Sequence, residues 1–366
     1  MKKIRVGILF GGKSAEHEVS LQSAKNVLAA LDKDKYEAVL LGIDKEGIWH
    51  WNQQSMDISN DSDPKLIQMN TSDKRLALIP GAQSNQIIDT TGQNHPSQVD
   101  VIFPILHGTL GEDGTVQGLL KLVNIPFVGA GVLGSAVGMD KDVMKRLLRG
   151  DGIPIADFVT FSYSDRDKIS YHEVIEILGL PVFVKPANMG SSVGISKVSD
   201  EEGFKKAIDD AFQYDTKIII EENIKGREIE CSVLGNGNPK ASLPGEVLPQ
   251  GNFYSYEAKY IDEKGAVLEV PAKLSEEEVK EIQDIAIKTY RSLCCEGMAR
   301  VDLFMKDNGE LVINEINTIP GFTKISMYPK LWEVSGLPYG ELIDRLLELA
   351  LERHSREQAL KTNVEL

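Results

Sequence analysis

The 366-residue chain contains no run of ~18 or more apolar residues, the length a membrane-spanning helix requires. Its first hydrophobic stretch, Ile4-Arg5-Val6-Gly7-Ile8-Leu9-Phe10, is too short for the core of a secretory leader and is broken by Arg5. It reads as a buried strand. Cysteine is scarce: Cys231, Cys294 and Cys295 are the only three. An odd number with one adjacent pair gives neither a disulfide framework nor zinc-ligand spacing, so a reducing, cytoplasmic setting is expected, with the thiols as small buried apolar groups. Positive charge is also in short supply. Forty Lys and Arg against 55 Asp and Glu leave a net charge of −15, which argues against nucleic acid or an anionic membrane as partner. What is present, 42% hydrophobic and 26% charged residues, suits a globular chain long enough for two or three cores.

The first 130 residues alternate strand and helix patterns. Strand Ile4–Phe10 runs into Gly11-Gly12, then a helix with Ser20 as expected N-cap and Leu21, Ala24, Val27, Leu28 and Leu31 on one face. Strands at Glu37–Ile43 and Val99–Leu106 complete a βαβ pattern, hence a parallel sheet whose ligands sit beyond the carboxyl ends of its strands. Trp51–Gln98 is polar and reads as a hairpin or mobile insertion. From Asp140 the pattern changes to a small α+β unit: helices at Asp140–Gly150, Ser170–Leu178 and Asp200–Gln213, and strands at Ile155–Phe161, Val182–Lys185, Gly194–Val198, Lys217–Glu221 and Glu228–Leu234. A long loop, Asn236 to about Lys264, precedes a helix at Ser275–Ser292, strands Ala299–Met305 and Leu311–Ile316, and a closing amphipathic helix from Tyr339 to about Arg353. The expected fold is α/β and α+β multidomain, divided as 1–129, 130–224 and 225–366.

Gly7-Ile8-Leu9-Phe10-Gly11-Gly12-Lys13-Ser14 matches the phosphate-loop expression G-x-x-x-x-G-K-[ST] letter for letter. A phosphate loop must curl its backbone amides around the anion, whereas Ile, Leu and Phe belong inside a strand. The segment is better read as a strand-to-helix turn that displays Glu16, and the dinucleotide signature G-x-G-x-x-G is absent from it. His107 ends an apolar strand and is followed by glycines, a setting suited either to a structural histidine or to a ligand site. A stronger feature is Lys185-Pro186 at a strand end, followed by Ala187-Asn188-Met189-Gly190-Ser191-Ser192-Val193-Gly194. Such a turn offers backbone N–H groups, including those around Ser191 and Ser192, to phosphate oxygens, with Lys185 as a point charge. Ile218–Ile220 then leads into Glu221, Glu222, Asn223 and Ile224, a segment able to meet a purine edge, with Glu228 for ribose hydroxyls. Near the end, Arg300-Val301-Asp302 and Glu315-Ile316-Asn317 place polar groups at i and i+2 on two apolar strands. If those strands pair, Asp302, Glu315 and Asn317 form an oxygen set suited to Mg²⁺ or Mn²⁺, and Phe304 and Ile313 on the same faces imply burial.

Taken in order from Val6 to about Leu337, these pieces resemble the D-alanine–D-alanine ligase family of the ATP-grasp superfamily. The marks are Leu9-Phe10-Gly11-Gly12 with Ser14-Ala15-Glu16-His17-Glu18-Val19-Ser20, Leu106-His107-Gly108 with Gly111-Glu112-Asp113-Gly114, Met139-Asp140-Lys141, Lys185 to Gly194, Tyr256-Glu257-Ala258-Lys259-Tyr260, and Glu315-Ile316-Asn317-Thr318-Ile319-Pro320-Gly321. The resemblance implies that Lys141, Lys185 and Lys259 hold ATP phosphates, that Glu221 to Ile224 line the adenine, and that Glu228 meets the ribose. It implies Asp302, Glu315 and Asn317 as ligands of Mg²⁺ or Mn²⁺, two ions in all. Glu16 and His107 correspond to groups around the first D-alanine, Arg300 and the Gly321 amide to an oxyanion-stabilising pair, and Ser326 and Met327 to the second substrate's carboxylate dock. Ser191 and Tyr260 correspond to residues tying a mobile loop to the site. Met327 departs from the family, where leucine is frequent; backbone contact would make that harmless. A cytoplasmic homodimer is implied. A D-alanine–D-lactate ligase, another ATP-grasp carboxylate–amine ligase, and a non-catalytic nucleotide-binding protein are the rival readings.

Overall fold

The computed structural model describes residues 2–52, 58–59, 67–69, 74–82, 84–90, 98–249, 266–323 and 325–362. Strand β1 (Ile4–Gly11), helix α1 (His17–Ala30), strand β2 (Tyr36–Ile43) and strand β3 (Trp49–Asn52) open the chain. Two short antiparallel pairs follow, β4 (Ile58–Ser59) with β5 (Gln68–Met69) and β6 (Leu76–Leu78) with β7 (Ile87–Asp89), and then β8 (Val101–Ile105). The first sheet has the order β3-β2-β1-β8, with β1 parallel to both β2 and β8. All eight residues of β1 are apolar, glycine or Arg5, and Ile8 and Leu9 have no exposure. A strand buried on both faces is what a parallel sheet covered by helices requires. The phosphate-loop match is thus a strand and its exit turn.

That turn starts the helix earlier than expected. Helix α1 begins at His17, and Ser20 lies within its first turn instead of capping it. The Ser20 hydroxyl accepts the Gly11 amide at 2.7 Å and donates to the Ile105 carbonyl, tying β1 to β8. Gly11 has φ 90°, and a Cβ there would run into the Ile43 carbonyl, so only glycine makes this turn.

Helices α2 (Thr115–Leu122), α3 (Val132–Met139) and α4 (Lys141–Gly150) lead to the second sheet; the patterning predicted α4 alone of the three. The Asp140 side chain caps α4 by accepting the Val143 amide. The second sheet consists of β9 (Phe158–Ser162), β10 (Val182–Pro186), β11 (Ser196–Val198) and β12 (Lys217–Glu222), in the antiparallel order β11-β10-β12-β9. Helices α5 (Tyr171–Leu178) and α6 (Glu201–Ala211) supply its apolar cover, with Val174, Phe204 and Ile208 packed on Val182, Val184 and Ile220.

The third sheet joins β13 (Arg227–Gly235), β14 (Lys240–Ala241), β15 (Gly245–Pro249), β16 (Ala266–Glu269), β17 (Gly297–Met305) and β18 (Leu311–Asn317) in the order β16-β15-β13-β17-β18, with β14 on β13. Strands β14 and β15 lie inside the segment expected as a loop from Asn236; residues 250–265 of that segment lie outside the described residues. Helix α7 (Glu276–Ser292) starts with a complete capping box between Ser275 and Glu278. Helices α8 (Met327–Val334) and α9 (Tyr339–Gln358) follow. Leu342, Ile343, Leu346 and Leu347 of α9 enter one core with Val6, Ile8, Phe103 and Ile105, so the last helix covers the first sheet. Cys231 and Cys295 are buried as expected; Cys294 is exposed, at φ 55°, in the turn after α7. None of the helices among the described residues is long and apolar enough to cross a membrane.

Candidate active site

Two cavities lie between the second and third sheets and the carboxyl end of the first. The larger is about 260 Å³ and is walled by Lys185, Ser191, Ser192, Glu221, Glu222, Asn223, Ile224, Glu228 and Asp302. The smaller is walled by Glu16, Glu112, Lys141, Arg300, Asn317, Gly321, Ser326 and Met327. Gly190, Ser191, Glu230 and Glu315 line both, so the two spaces meet at these residues. Residues from well-separated stretches of the chain therefore share one surface.

The purely apolar run Ile218–Ile220 buries β12 and carries Glu221 to the wall of the larger cavity. Its neighbour β10 delivers Lys185, directly across from Ile219. Lys185 Nζ lies 2.6 Å from Glu221 Oε2, while Lys145 Nζ from α4 lies 3.2 Å from Glu221 Oε1. Burial opposes ionisation of Glu221, but the two ammonium groups outweigh it and hold the carboxyl at about 2. Lys145 has no exposed side-chain surface and was not foreseen. The available signal was its place one turn after Lys141 on the same helix.

The turn after Lys185 is held at its start by Asp215, whose Oδ2 accepts both the Asn188 amide at 2.7 Å and the Asn188 side chain at 3.0 Å. Further along, Ser191 and Ser192 adopt φ 51° and 62°, and the Ser191 hydroxyl donates to Glu16. Two consecutive left-handed serines are costly unless the surroundings fix them, and this contact from the first sheet does so. Glu16 itself precedes α1 but makes no capping bond; its carboxylate faces the smaller cavity.

His107 stands one layer behind that cavity. Its Nδ1 lies 3.0 Å from the Ile319 carbonyl, its Nε2 3.3 Å from Ser23 Oγ, and Glu112 Oε1 3.7 Å from Nδ1. Glu112, noted in the sequence but assigned no role, is the group that reaches the wall. Burial, reinforced by Glu16, pushes its carboxyl up to about 7 against the opposing pull of His107. Gly108, at φ 75°, leaves room for Glu16, since a Cβ would come within 2.6 Å of Oε2.

Strands β17 and β18 pair as the spacing required, with Asp302 opposite Glu315 and Arg300 opposite Asn317. On the other side Glu230 of β13 stands opposite Asp302, giving a row of three carboxylates on adjacent strands. Like charges directly opposite are destabilising, so the row requires cations. Arg300 donates to both oxygens of Asp302 at 2.7 Å and lies 3.0 Å from Glu230, and Lys141 lies 3.3 Å from Glu315. Glu230 was missed, although its i, i+2 relation to Glu228 was readable. One expectation is corrected: Ile313 does not share the face of Glu315. Asn314 is an extra residue at a register shift, and Ile313 pairs with Leu303 and packs in the apolar core.

Among the described residues no three His, Cys, Asp or Glu side chains converge into a ready-made metal cage. The donor set nevertheless fits a hard divalent cation: two opposed carboxylates, and an Asn317 Oδ1 that is buried without a hydrogen bond among the described residues. Ser326 Oγ accepts the Thr323 amide at 2.9 Å and lies close to Gly321, where a Cβ would stand only 2.7 Å from it. Lys259 and Tyr260 lie outside the described residues. Lys13 is exposed and lines neither cavity.

Residues 5–130 match the family model described as D-ala D-ala ligase N-terminus, and residues 147–348 the one described as D-ala D-ala ligase C-terminus. The D-alanine–D-alanine ligase of Oceanobacillus iheyensis is 60% identical over 363 residues, covering 99% of both chains. The D-alanine–D-alanine ligase A of Escherichia coli strain K12 is 58% identical over 365 residues, covering 100% of both. Among solved structures, the D-alanine–D-alanine ligase from Coxiella burnetii superposes with a TM-score of 0.84 at 42% identity, covering 98% of this chain and 97% of that one. A D-Ala:D-Ser ligase from Enterococcus faecalis also gives 0.84, at 34% identity, covering 95% of this chain and 100% of that one. With both family models matched and near 60% identity sustained end to end, the chain belongs to the D-alanine–D-alanine ligase family and has its ATP-grasp fold.

Proposed function

We propose that this protein joins two D-alanine molecules into D-alanyl-D-alanine, with ATP converted to ADP and phosphate. The observation that carries this reading is the meeting of two unlike cavities at Ser191 and Glu315. One has the lysine and polar strand edge suited to a nucleotide. The other has carboxylates, an arginine and a glycine amide suited to small zwitterions.

In this reading Glu221, Glu222, Asn223 and Ile224 meet adenine, Glu228 the ribose, and Lys141, Lys185 and Lys259 the phosphates. Ser191 and Ser192 offer backbone amides to the same oxygens. Glu16, with Glu112 and His107 behind it, holds the ammonium side of the first D-alanine. That substrate's carboxylate attacks the γ-phosphorus; a new P–O bond forms, the bond to ADP breaks, and the lysines spread the transferred charge. Asp302, Glu315 and Asn317 would hold Mg²⁺ or Mn²⁺, which neutralises phosphate charge when bound. The second D-alanine, its carboxylate docked at Ser326 and Met327, gives up a proton from its ammonium group to solvent, and the free amine attacks the carbonyl carbon of the acyl phosphate. Arg300 and the Gly321 N–H stabilise the tetrahedral oxyanion, which collapses with loss of phosphate. Tyr260 is the residue we assign to keeping water from the acyl phosphate, which hydrolysis would otherwise consume. We read residues 1–129, 130–224 and 225–366 as the three working units, and the protein as a cytoplasmic homodimer serving cell-wall synthesis.

The test is ADP release measured in parallel with D-alanine, L-alanine and D-alanine plus D-lactate, with products identified. D-alanine alone should support release and yield the dipeptide. ADP release that is indifferent to D-alanine, or that prefers L-alanine, removes the reading.

A further inference from the structure

Helix α4 carries Lys141 and Lys145 one turn apart, yet they end in different places. Lys141 lines the smaller cavity; Lys145 lines neither and is enclosed entirely by protein. An enclosed ammonium is costly, and an apolar side chain of similar length would fill the space without that cost. Among the described residues its ion-pair partner is Glu221, whose two oxygens are divided between Lys145 at 3.2 Å and Lys185 at 2.6 Å, with Glu315 acting on it more weakly. Glu221 is itself buried and forms part of the wall of the larger cavity. A Lys185–Glu221 pair alone is neutral and would present little net charge to an anion. Adding Lys145 turns it into a row of positive, negative and positive groups with one net positive charge, and the outer member lies on the cavity.

We propose that Lys145 is a positioning residue for nucleotide binding: from inside the protein it holds one oxygen of Glu221 and offsets that carboxylate, leaving the charge of Lys185 available to a phosphate. The inference rests on the reading of the larger cavity as the nucleotide site. Burial, with the like charge of Lys185, holds the Lys145 ammonium below its ordinary value, and Glu221, helped by Glu315, opposes that fall. Lys145 and Lys185 in turn keep Glu221 ionised. The three groups form one electrostatic unit, so their effects on binding are coupled.

Calorimetric titration of the full-length protein with ATP, ADP and adenosine tests this, alongside thermal melts of each variant. Lys145→Met should weaken ATP and ADP by about tenfold or more, and adenosine by less than about twofold, because the lost interaction acts on phosphate charge. In a Glu221→Gln background, adding Lys145→Met should change ATP affinity by less than about twofold, since no carboxylate is left to offset. Equal weakening of ATP and adenosine, or the same loss in both backgrounds, overturns the proposal and leaves Lys145 a packing residue. If Lys145→Met alone does not fold, the double variant, with both charges removed, carries the comparison against Glu221→Gln. Lys185→Met separates the two readings. If it weakens ATP while Lys145→Met does not, only the role of Lys145 fails; if neither weakens ATP, the nucleotide assignment of the cavity fails with it.

Discussion

Glu112 is a carboxyl with an ordinary value of 4.5 that stands at about 7 in the fold, because it is buried and faces Glu16. The folded state therefore holds its proton more tightly than the unfolded chain does. The stability gained is complete below about pH 4.5 and is lost as pH rises through about 7. His107 acts in the same direction: burial disfavours its charge, but Glu112 and Glu16 outweigh that and hold it above its ordinary value. Glu112→Gln should flatten the decline of thermal midpoint between pH 4.5 and about 7; a slope as steep as wild type would place the proton elsewhere. Lys13→Ala makes the opposite kind of test. Its residue completes a letter-perfect phosphate-loop expression but is exposed and lines neither cavity, so ATP affinity should stay within about twofold of wild type. Lys185 and Glu16 were legible because one ends the apolar strand β10 and the other follows the exit turn of β1. Lys145 was not, since a lysine on an amphipathic helix has the same letters whether it faces water or a buried carboxylate.

The pairing of β17 with β18 followed from polar groups two residues apart, and the register bore it out down to Asp302 opposite Glu315. The bulge at Asn314 was not legible, because parity along a strand says nothing about an inserted residue. Helices α2, α3 and α8 escaped for another reason. Each carries a residue that weakens a helix in isolation: Gly118 in α2, Gly134 and Gly138 in α3, Pro329 in α8. A Cβ at Gly138 would press on the Thr318 methyl at 3.0 Å, so a tertiary contact favours glycine there. Glu315→Gln breaks the carboxylate row without altering its shape. Turnover should fall by at least about a hundredfold while the melting curve keeps its cooperativity, and undiminished turnover would take the divalent cation off this row. At the start of α7, Ser275→Ala removes the hydroxyl half of the capping box and leaves the bond from the residue 275 amide to Glu278 in place. That should cost about 1 kcal/mol in denaturant unfolding with Michaelis constants unaltered.

At the scale of the whole molecule, Arg353 is a buried polar tie between the last helix and the first part of the chain. It donates to the Phe127 carbonyl at 2.7 Å and to that of Gly129 at 2.5 Å, and stacks on the Phe127 ring. These carbonyls end the segment that leaves the first sheet, so α9 clamps it from the far end of the chain. Arg353→Leu leaves two buried acceptors without their donor and should cost roughly 2–5 kcal/mol, read as a lower denaturation midpoint. A loss under about 0.5 kcal/mol would mean that the apolar face of α9 alone holds the junction.

That α9 shares its core with β1 and β8 has a consequence for synthesis. A ribosome releases the first sheet's strands long before it releases Leu342, Ile343, Leu346 and Leu347. At roughly 5–20 residues per second, Phe103 waits on the order of ten to fifty seconds for its cover, and Val6 and Ile8 roughly fifteen to seventy. During that interval the nascent chain presents an apolar sheet face to the cytosol, the kind of surface that holdase chaperones bind. Slowing translation between β8 and α9 should therefore lower the soluble yield of an enzyme whose finished form is unchanged.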